Sequence, residues 1–536
     1  MDAVHFSAAH PEGLLAIATS LVFFFVFLVR LKGSAMGGIR SSLVDLPVVG
    51  MLPSILLNLH RVHDWAAKVL EDRGCTTWVR GPWLSGMVYL FTSDPAVAKY
   101  VTSTRYKNFV RGTRFREILE PVGNSILASD FNESWRVRRR LTLDLMHQPE
   151  FQHSHRRTTH RLVEGKLLPF LADLARQGDA VDMQDVLQRF TFDLVCSTFF
   201  GVDLGSLSAD FPTVPFARAV SDAEEVIVVR FALPPAWWKL MRWLRIGPER
   251  KMAAAMRVID EFIYQHIASK KAELCKDGRR TDNKTQVGED GAAVDLLRGF
   301  IDHQSAGEAK GRTFESDRSL RDTMVEMVVA GWHTTSVSIS WLYWLVATHP
   351  SVEARILEEL ASVVRADGGD GGRHPGYTVF DVDELHGCVY LDAVIHETLR
   401  LFAPLPLNPF CAVEKDVLPT GEVVKPGTII LLDLYAVGRM EKNWGKDAGE
   451  FKPERWITEE GKLIEENSYK FAAFGSGPKM CLGRRVGLAV TKAVAASAIY
   501  NFRFNVAEGH RPLPSSSVVL HMKNGLMGSL RERFPR

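Results

Sequence analysis

Residues Phe474 to Gly483 read FGSGPKMCLG and lead straight into a helical pattern from Val486 to Ala496. A lone cysteine normally serves as a small buried apolar side chain. Cys481, however, is framed by Gly477 and Gly483, and glycine lets backbone approach a flat neighbour closely. A cysteine at the start of a helix gains thiolate character from free N–H groups and the helix dipole. Any fold for this chain must therefore seat one sulfur at a helix mouth, beside a surface that glycine keeps open. The other cysteines (Cys75, Cys196, Cys275, Cys388 and Cys411) are scattered. Their spacing suggests neither a zinc site nor a disulfide framework, and they read as reduced, intracellular thiols.

With 65 Lys+Arg against 63 Asp+Glu in 536 residues, the formal charge is +2. Such a balance gives no support to a nucleic-acid partner, which shows as a basic surplus. A content of 46% apolar and 24% charged residues belongs to a globular chain. Helical spacing of apolar positions runs through Asp185 to Phe199, Arg250 to Ala272, Asp317 to His349 and Leu391 to Leu401. Short extended candidates lie at Met87 to Phe91 and Thr428 to Leu434. Two loop-like stretches, Lys276 to Gly291 and Arg365 to Gly376, do not divide the chain into separately patterned halves. One large, mostly helical domain over residues 54–536 is the economical reading.

Leu14 to Leu31 is almost wholly apolar until Arg30. As a helix it would be about 27 Å long, just enough to cross a bilayer core. Asp2 and Glu12 precede it, while Arg30, Lys32 and Arg40 follow, which places the following chain on the cytoplasmic side. A cleaved signal peptide carries its positive charge before the apolar run. Residues 1–31 are thus expected to be an uncleaved membrane anchor. Residues 32–53 read as a linker ending in a stiff hinge, with Pro47 and Pro53 in LPVVGMLP.

A thiolate placed as Cys481 is can ligate heme iron and favour O–O cleavage. FGSGPKMCLG resembles the F-x-x-G-x-R-x-C-x-G signature of the cytochrome P-450 superfamily, with Lys479 where arginine is usual. Lysine keeps a positive charge for a heme propionate but loses the bidentate fork. The resemblance implies a mainly α cytochrome P-450 fold: a large helical domain, a small β-rich region, and heme b buried between them. Cys481 would be the iron ligand, with Phe474, Gly477, Lys479 and Gly483 around it. Glu397 and Arg400 in HETLR would be an ordinary solvated ion pair if read alone. With Arg455 in FKPERW they resemble the family's buried Glu-Arg-Arg network, which sets geometry more than it adds stability. Trp135 and Arg139 in WRVRRR resemble the family's helix that contacts a heme propionate.

Ala330 to Thr335 reads AGWHTT. Glycine and threonine in mid-helix are usually packing details. In the superfamily the equivalent A-G-x-[DE]-T-T segment forms the oxygen pocket. By that likeness Ala330 lies against the heme, Gly331 leaves room for O2, and Thr334 helps deliver the proton that splits the O–O bond. His333 is the departure, because Asp or Glu normally stands there. Histidine shuttles protons near neutral pH. Two readings stay open: a working relay with changed pH dependence, or an altered, poorly coupled or non-hydroxylating reaction.

Finer likeness is to the plant clan that hydroxylates fatty acids and related long-chain aliphatics. The hinge, Asp185 to Ser208, Asp222 to Met252, Tyr435 to Trp456 and Ser515 to Leu526 carry it. The implied enzyme is a heme-thiolate monooxygenase of the endoplasmic reticulum membrane, single-pass, with its catalytic domain facing the cytosol. Its electrons come from NADPH through a reductase, since no dinucleotide-binding glycine fingerprint follows a strand. Trp237, Trp238, Leu240 and Trp243 are expected at the bilayer interface, and Arg136, Arg138, Arg140, Arg484 and Arg485 at the reductase. Phe109 to Leu127, Val329 to Thr335 and Ala403 to Phe410 are the candidate walls of a lipid channel. The rivals are a reductase-independent isomerase or dehydratase of lipid hydroperoxides, and a catalytically silent heme protein.

Overall fold

The computed structural model describes residues 43–83, 85–280, 295–308, 316–366 and 376–534. The expected anchor lies outside these residues. Among the described residues no helix is long and apolar enough to cross a membrane. The helices that matter for the site are, in chain order, α1 (Glu133–His147), α2 (Met183–Phe200), α3 (Pro215–Ala232), α4 (Pro235–Leu244), α5 (Gly247–Arg280), α6 (Asp317–Thr348), α7 (Val389–Leu401) and α8 (Arg484–Asn501).

Their starts follow from local chemistry. Asn132 accepts the N–H of Trp135 at 2.8 Å to cap α1, and Asp182 accepts that of Gln184 at 3.0 Å to cap α2. Ser316 caps α6, with Asp317 in its first turn. These caps satisfy N–H groups that have no intrahelical partner. α3 starts on Pro215 instead, whose missing N–H is free of cost there.

α6 runs through the interior and joins two apolar cores. Its first half, through Trp332, packs with α2, α3 and α5 in one core. From Val337 onward it packs in a second core with α7 and α8. The turn between, Val329 to Thr335, belongs wholly to neither.

A five-stranded sheet lies to one side. Its strands are β1 (Thr76–Arg80), β2 (Val88–Thr92), β3 (Phe109–Val110), β4 (Leu407–Ala412) and β5 (Ile429–Asp433), in the order β1-β2-β5-β4-β3. β2 and β5 are parallel, with Leu90 opposite Ile430, and the other pairs are antiparallel. A smaller sheet pairs Met527–Glu532 with both Val181–Asp182 and Phe502–Val506. The result is the mainly helical fold with a small β region that the sequence implies.

Some expectations shift. α5 stays helical to Arg280 and the helix starting at Pro350 runs to Ala366, so the first five residues of one supposed loop and the first two of the other are helical. Pro53, read as a stop, sits in the first turn of the helix Leu52–Leu57, where proline is tolerated. The preceding stretch packs onto the sheet: Met51 is buried with Leu43, Trp65 and Val69, and its N–H donates to the Arg80 carbonyl at 2.8 Å.

Candidate active site

The cysteine loop is folded by its own backbone. Cys481 N–H donates to the Phe474 carbonyl at 2.8 Å, and Met480 N–H to that of Gly477 at 3.0 Å. Gly477 has φ +66°, and a Cβ there would lie 2.0 Å from the Thr102 carbonyl oxygen, so no other residue fits. Gly483 is less constrained, since its Cβ would meet only the Cys481 sulfur at an ordinary 3.9 Å. Cys481 is accessible to solvent, yet surrounding protein pushes its thiol above the usual cysteine range. The N–H groups of Gly483 and Arg484 and the Arg139 and Arg484 charges pull the other way. A cysteine that is exposed yet surrounded by protein marks a recess at this loop.

Cations border that recess. Arg139 donates to the Met480 carbonyl at 2.5 Å, and Lys479 to that of Ser129 at 2.5 Å. Lys479 Nζ lies 4.9 Å from the Phe131 ring and 5.5 Å from that of Trp135, whose indole N–H donates to the Ile126 carbonyl at 3.1 Å. Burial, reinforced by Arg111 and Arg139, pushes the Lys479 ammonium down to about 7. Arg111 is itself pushed down to about 10 by burial. Arg111 Nε and Arg138 Nε and Nη2 are buried without hydrogen-bond partners. Buried N–H donors without acceptors are costly, so this wall fits a bound group that brings carboxylates. The donor set, one accessible cysteine sulfur and a cationic rim, is chemically suited to heme.

α6 opens toward the recess at one turn. Ala330 is exposed although it stands mid-way along a buried helix, and Val329, Gly331, Thr334 and Thr335 are partly so. The Thr334 hydroxyl donates to the Ala330 carbonyl at 2.6 Å. α6 packs against α8, at whose mouth Cys481 lies. Gly331 turns another way. A Cβ on it would meet Phe199 at 3.2 Å and Val195 at 3.4 Å, so close packing of α2 accounts for this glycine and the side chain it lacks opens no room for a gas.

His333 also faces away from the window. It is buried, and its Nδ1 lies 2.8 Å from a carboxylate oxygen of Glu224 on α3. Its ring meets that of His521 edge-on at 4.9 Å, while Trp332 beside it donates its indole N–H to the Gln188 carbonyl at 2.8 Å. Glu224 and His521 carry no sequence signal of this role; only tertiary packing brings them to His333. Glu326, about one turn before the window, was likewise invisible in sequence. It accepts the N–H groups of Ile126 at 2.8 Å and Leu127 at 2.6 Å, and burial pushes its carboxyl up to about 7.

The expected Glu-Arg-Arg network is present and buried. Glu397 accepts two bonds from Arg400, at 2.7 and 2.8 Å, and one from Arg455 at 3.2 Å. The Trp456 indole and the Lys452 N–H complete its acceptors at 2.9 Å each. Arg400 also donates to the carbonyls of Gly438, Ala448 and Glu450.

Two sequence readings need correction. Arg138 is 6% exposed and so is no docking charge, whereas Arg136, Arg140 and Arg485 do face solvent. Trp238 is only 2% exposed, held under the Arg230 guanidinium at 4.8 Å. Arg230 is in turn paired with buried Glu249 at 2.7 Å. Trp237, Leu240 and Trp243 are exposed as expected, Trp243 by 76%. A cleft of 1370 Å³ that shares Ser129 and Arg138 with the cationic wall, and is lined also by Arg116, Glu117, Glu120, Lys239 and Arg242, is too charged to hold an aliphatic chain.

Fold and site together define an enzyme of the heme-thiolate class. The chain belongs to the cytochrome P450 family: the model described as "Cytochrome P450" matches residues 44–527. It is similar to Cytochrome P450 86B1 of Arabidopsis thaliana, 36% identical over 91% of this chain and 85% of that protein. Alkane hydroxylase MAH1 of the same plant is 36% identical, over 91% of this chain and 93% of its own. Noroxomaritidine synthase 2 of Narcissus pseudonarcissus is 34% identical over 98% of both chains. The family's cofactor is heme b held by a cysteine thiolate, with electrons supplied by a reductase, and the chain is a monooxygenase-type oxidoreductase.

Proposed function

We propose that the Cys481 sulfur would hold the iron of heme b and that the enzyme inserts one oxygen atom from O2 into a C–H bond of a long-chain aliphatic, a fatty acid or a wax-type alkane or alcohol. The observation that carries this reading is the solvent-accessible Cys481 sulfur enclosed beside a cationic wall. Bound there, heme supplies the family's oxygen activation and one-electron chemistry. Arg139 and Lys479 neutralise its carboxylates, with Arg111 behind them, while Trp135 fixes α1 through its bond to Ile126. Phe474 and Gly477 shape the loop that aims the sulfur, and Gly483 opens the way into α8. Ala330 gives the window a small apolar floor. Thr334 holds its proton on the Ala330 carbonyl and, by rotating about χ1, presents it to the recess.

His333 contributes from behind the window. Its Nδ1 shares a proton with Glu224, which is 13% exposed, so the pair joins the partly solvated α3 surface to the residue next to Thr334. His333 faces away from the recess, and that orientation favours a second reading in which no relay operates: a reductase-independent lipid hydroperoxide isomerase or dehydratase. The likeness to a named alkane hydroxylase supports the aliphatic substrate class. We place the enzyme in the endoplasmic reticulum membrane through residues 1–31, with NADPH–cytochrome reductase as its electron donor.

The test is to reconstitute the holoenzyme with an NADPH reductase, long-chain fatty acids, alkanes and alcohols, and labelled O2. One labelled oxygen in a hydroxyl product is expected. Reductase-independent conversion of a lipid hydroperoxide, with no labelled hydroxyl, would replace this reading with the second.

A further inference from the structure

Behind the window, three parts of the chain converge on one point. Glu224 comes from α3, His333 from α6, and His521 from the turn ahead of the strand Met527–Glu532. One ring nitrogen from each histidine and a carboxylate oxygen of Glu224 lie within 4.8 Å of one another. We propose that Glu224, His333 and His521 form a binding site for a divalent cation of the zinc type, separate from the heme.

A simpler account would make Glu224 and His333 a hydrogen-bonded pair, with His521 as packing. It leaves two features unexplained. The second carboxylate oxygen of Glu224 is buried with no hydrogen-bond partner, and such atoms are rare because each costs its full desolvation penalty. His521 is also oriented by a polar side chain: its Nδ1 lies 3.0 Å from the Gln188 amide. With the Gln188 amide turned so that its oxygen accepts the Nδ1–H, the far ring nitrogen is left with a free lone pair, the arrangement of metal-binding histidines.

Two imidazoles and a carboxylate suit zinc, which takes nitrogen and oxygen donors at about 2.0–2.2 Å in a tetrahedron. Donors around such an ion stand roughly 3.3–3.6 Å apart. The Glu224–His333 separation of 2.8 Å must therefore widen slightly while His521 closes in, which are side-chain adjustments. On binding, neutral His333 takes the tautomer with its proton on Nε2, so that Nδ1 and the Glu224 carboxylate are both free for the ion, and water fills the fourth position. Bound there, the ion ties α3 and the turn at His521 to α6.

The test is a titration of chelator-treated, full-length holoprotein with zinc chloride, followed by calorimetry and by metal content after gel filtration. It is run in a Cys275→Ser background, because Cys275 is an exposed thiol. One tight equivalent is expected, together with a rise in Tm. Glu224→Gln and His521→Asn, close in size to the native residues, should each weaken binding at least tenfold. Gln188→Leu, which removes only the orienting amide, should weaken it by about tenfold or more. No tight equivalent on the background protein overturns the proposal. So does zinc held equally well by Glu224→Gln and His521→Asn, which would mean that scattered surface histidines bind it.

Discussion

Lys479 stands where the family's signature has arginine, and the difference is one of proton affinity. Its ammonium, pushed down to about 7, is mostly charged at pH 6 and mostly neutral at pH 8 while the recess holds no counter-charge. A bound dianion favours the charged form, so heme binding takes up a proton above pH 7 and affinity falls as pH rises. Glu326, pushed up to about 7, gains negative charge over the same range and acts in the same direction. Heme transfer to an acceptor globin should therefore quicken from pH 6 to pH 8. Lys479→Arg should flatten that slope, because guanidinium stays protonated throughout. An unchanged slope in the variant would remove Lys479 from the cofactor's carboxylates. The lysine was plain in the sequence; its depressed proton affinity was not, since that comes from burial, to which Arg111 and Arg139, remote in the chain, add.

At the scale of elements, periodicity located the helices and misread some of their faces. In α1 the buried residues are Trp135, Arg138, Leu141, Thr142, Leu145 and Met146, a stripe at spacings of three and four. Arg138 falls on that stripe and Arg139 does not, a distinction that the run of arginines concealed. α4 repeats the lesson, because Arg230 and Glu249, on neighbouring helices, make a covered seat for Trp238. The network around Glu397 was legible because its residues lie in two short motifs. Removing Glu397 by substitution to Ala leaves Arg400 and Arg455 without their carboxylate in the interior, and should cost about 3–5 kcal/mol in urea unfolding. Arg455→Ala should cost less, because Arg455 is partly exposed and Arg400 still satisfies Glu397. Equal losses would show that the second arginine, not the bidentate pair, holds the motif together.

For the whole molecule, the sequence was informative about chemistry that sits within one segment and silent about chemistry assembled from several. Cys481 with its loop and the Glu397 network were readable, whereas the bond from Thr334 to the Ala330 carbonyl was not. The partners of His333 were not, because α3 and the turn at His521 meet α6 only in the folded chain. The exposed cations Arg140 and Arg485 stand on α1, whose Arg139 bonds the cysteine loop, and at the start of α8, which follows that loop. Reversing both to Glu should slow reduction by the reductase about tenfold at low ionic strength. The deficit should shrink as salt approaches 0.1 M or more, where screening acts over about 10 Å. Stopped-flow reduction at two salt concentrations decides it, and an unaffected rate would move the docking face elsewhere.

Of the six cysteines, Cys75, Cys196 and Cys388 are buried and Cys411 is half-buried, whereas Cys275 and Cys481 are exposed. The protein therefore carries its own occupancy gauge. A colorimetric thiol reagent should find two quickly reacting sulfurs in cofactor-stripped protein and one in the loaded form, because coordination masks Cys481 and leaves Cys275 free. In Cys275→Ser protein the count should fall from one to none on loading. Two fast thiols in fully loaded protein would mean that the iron is held by some atom other than the Cys481 sulfur. The assay needs no light absorption by the cofactor, and can therefore follow loading in preparations too turbid for spectra.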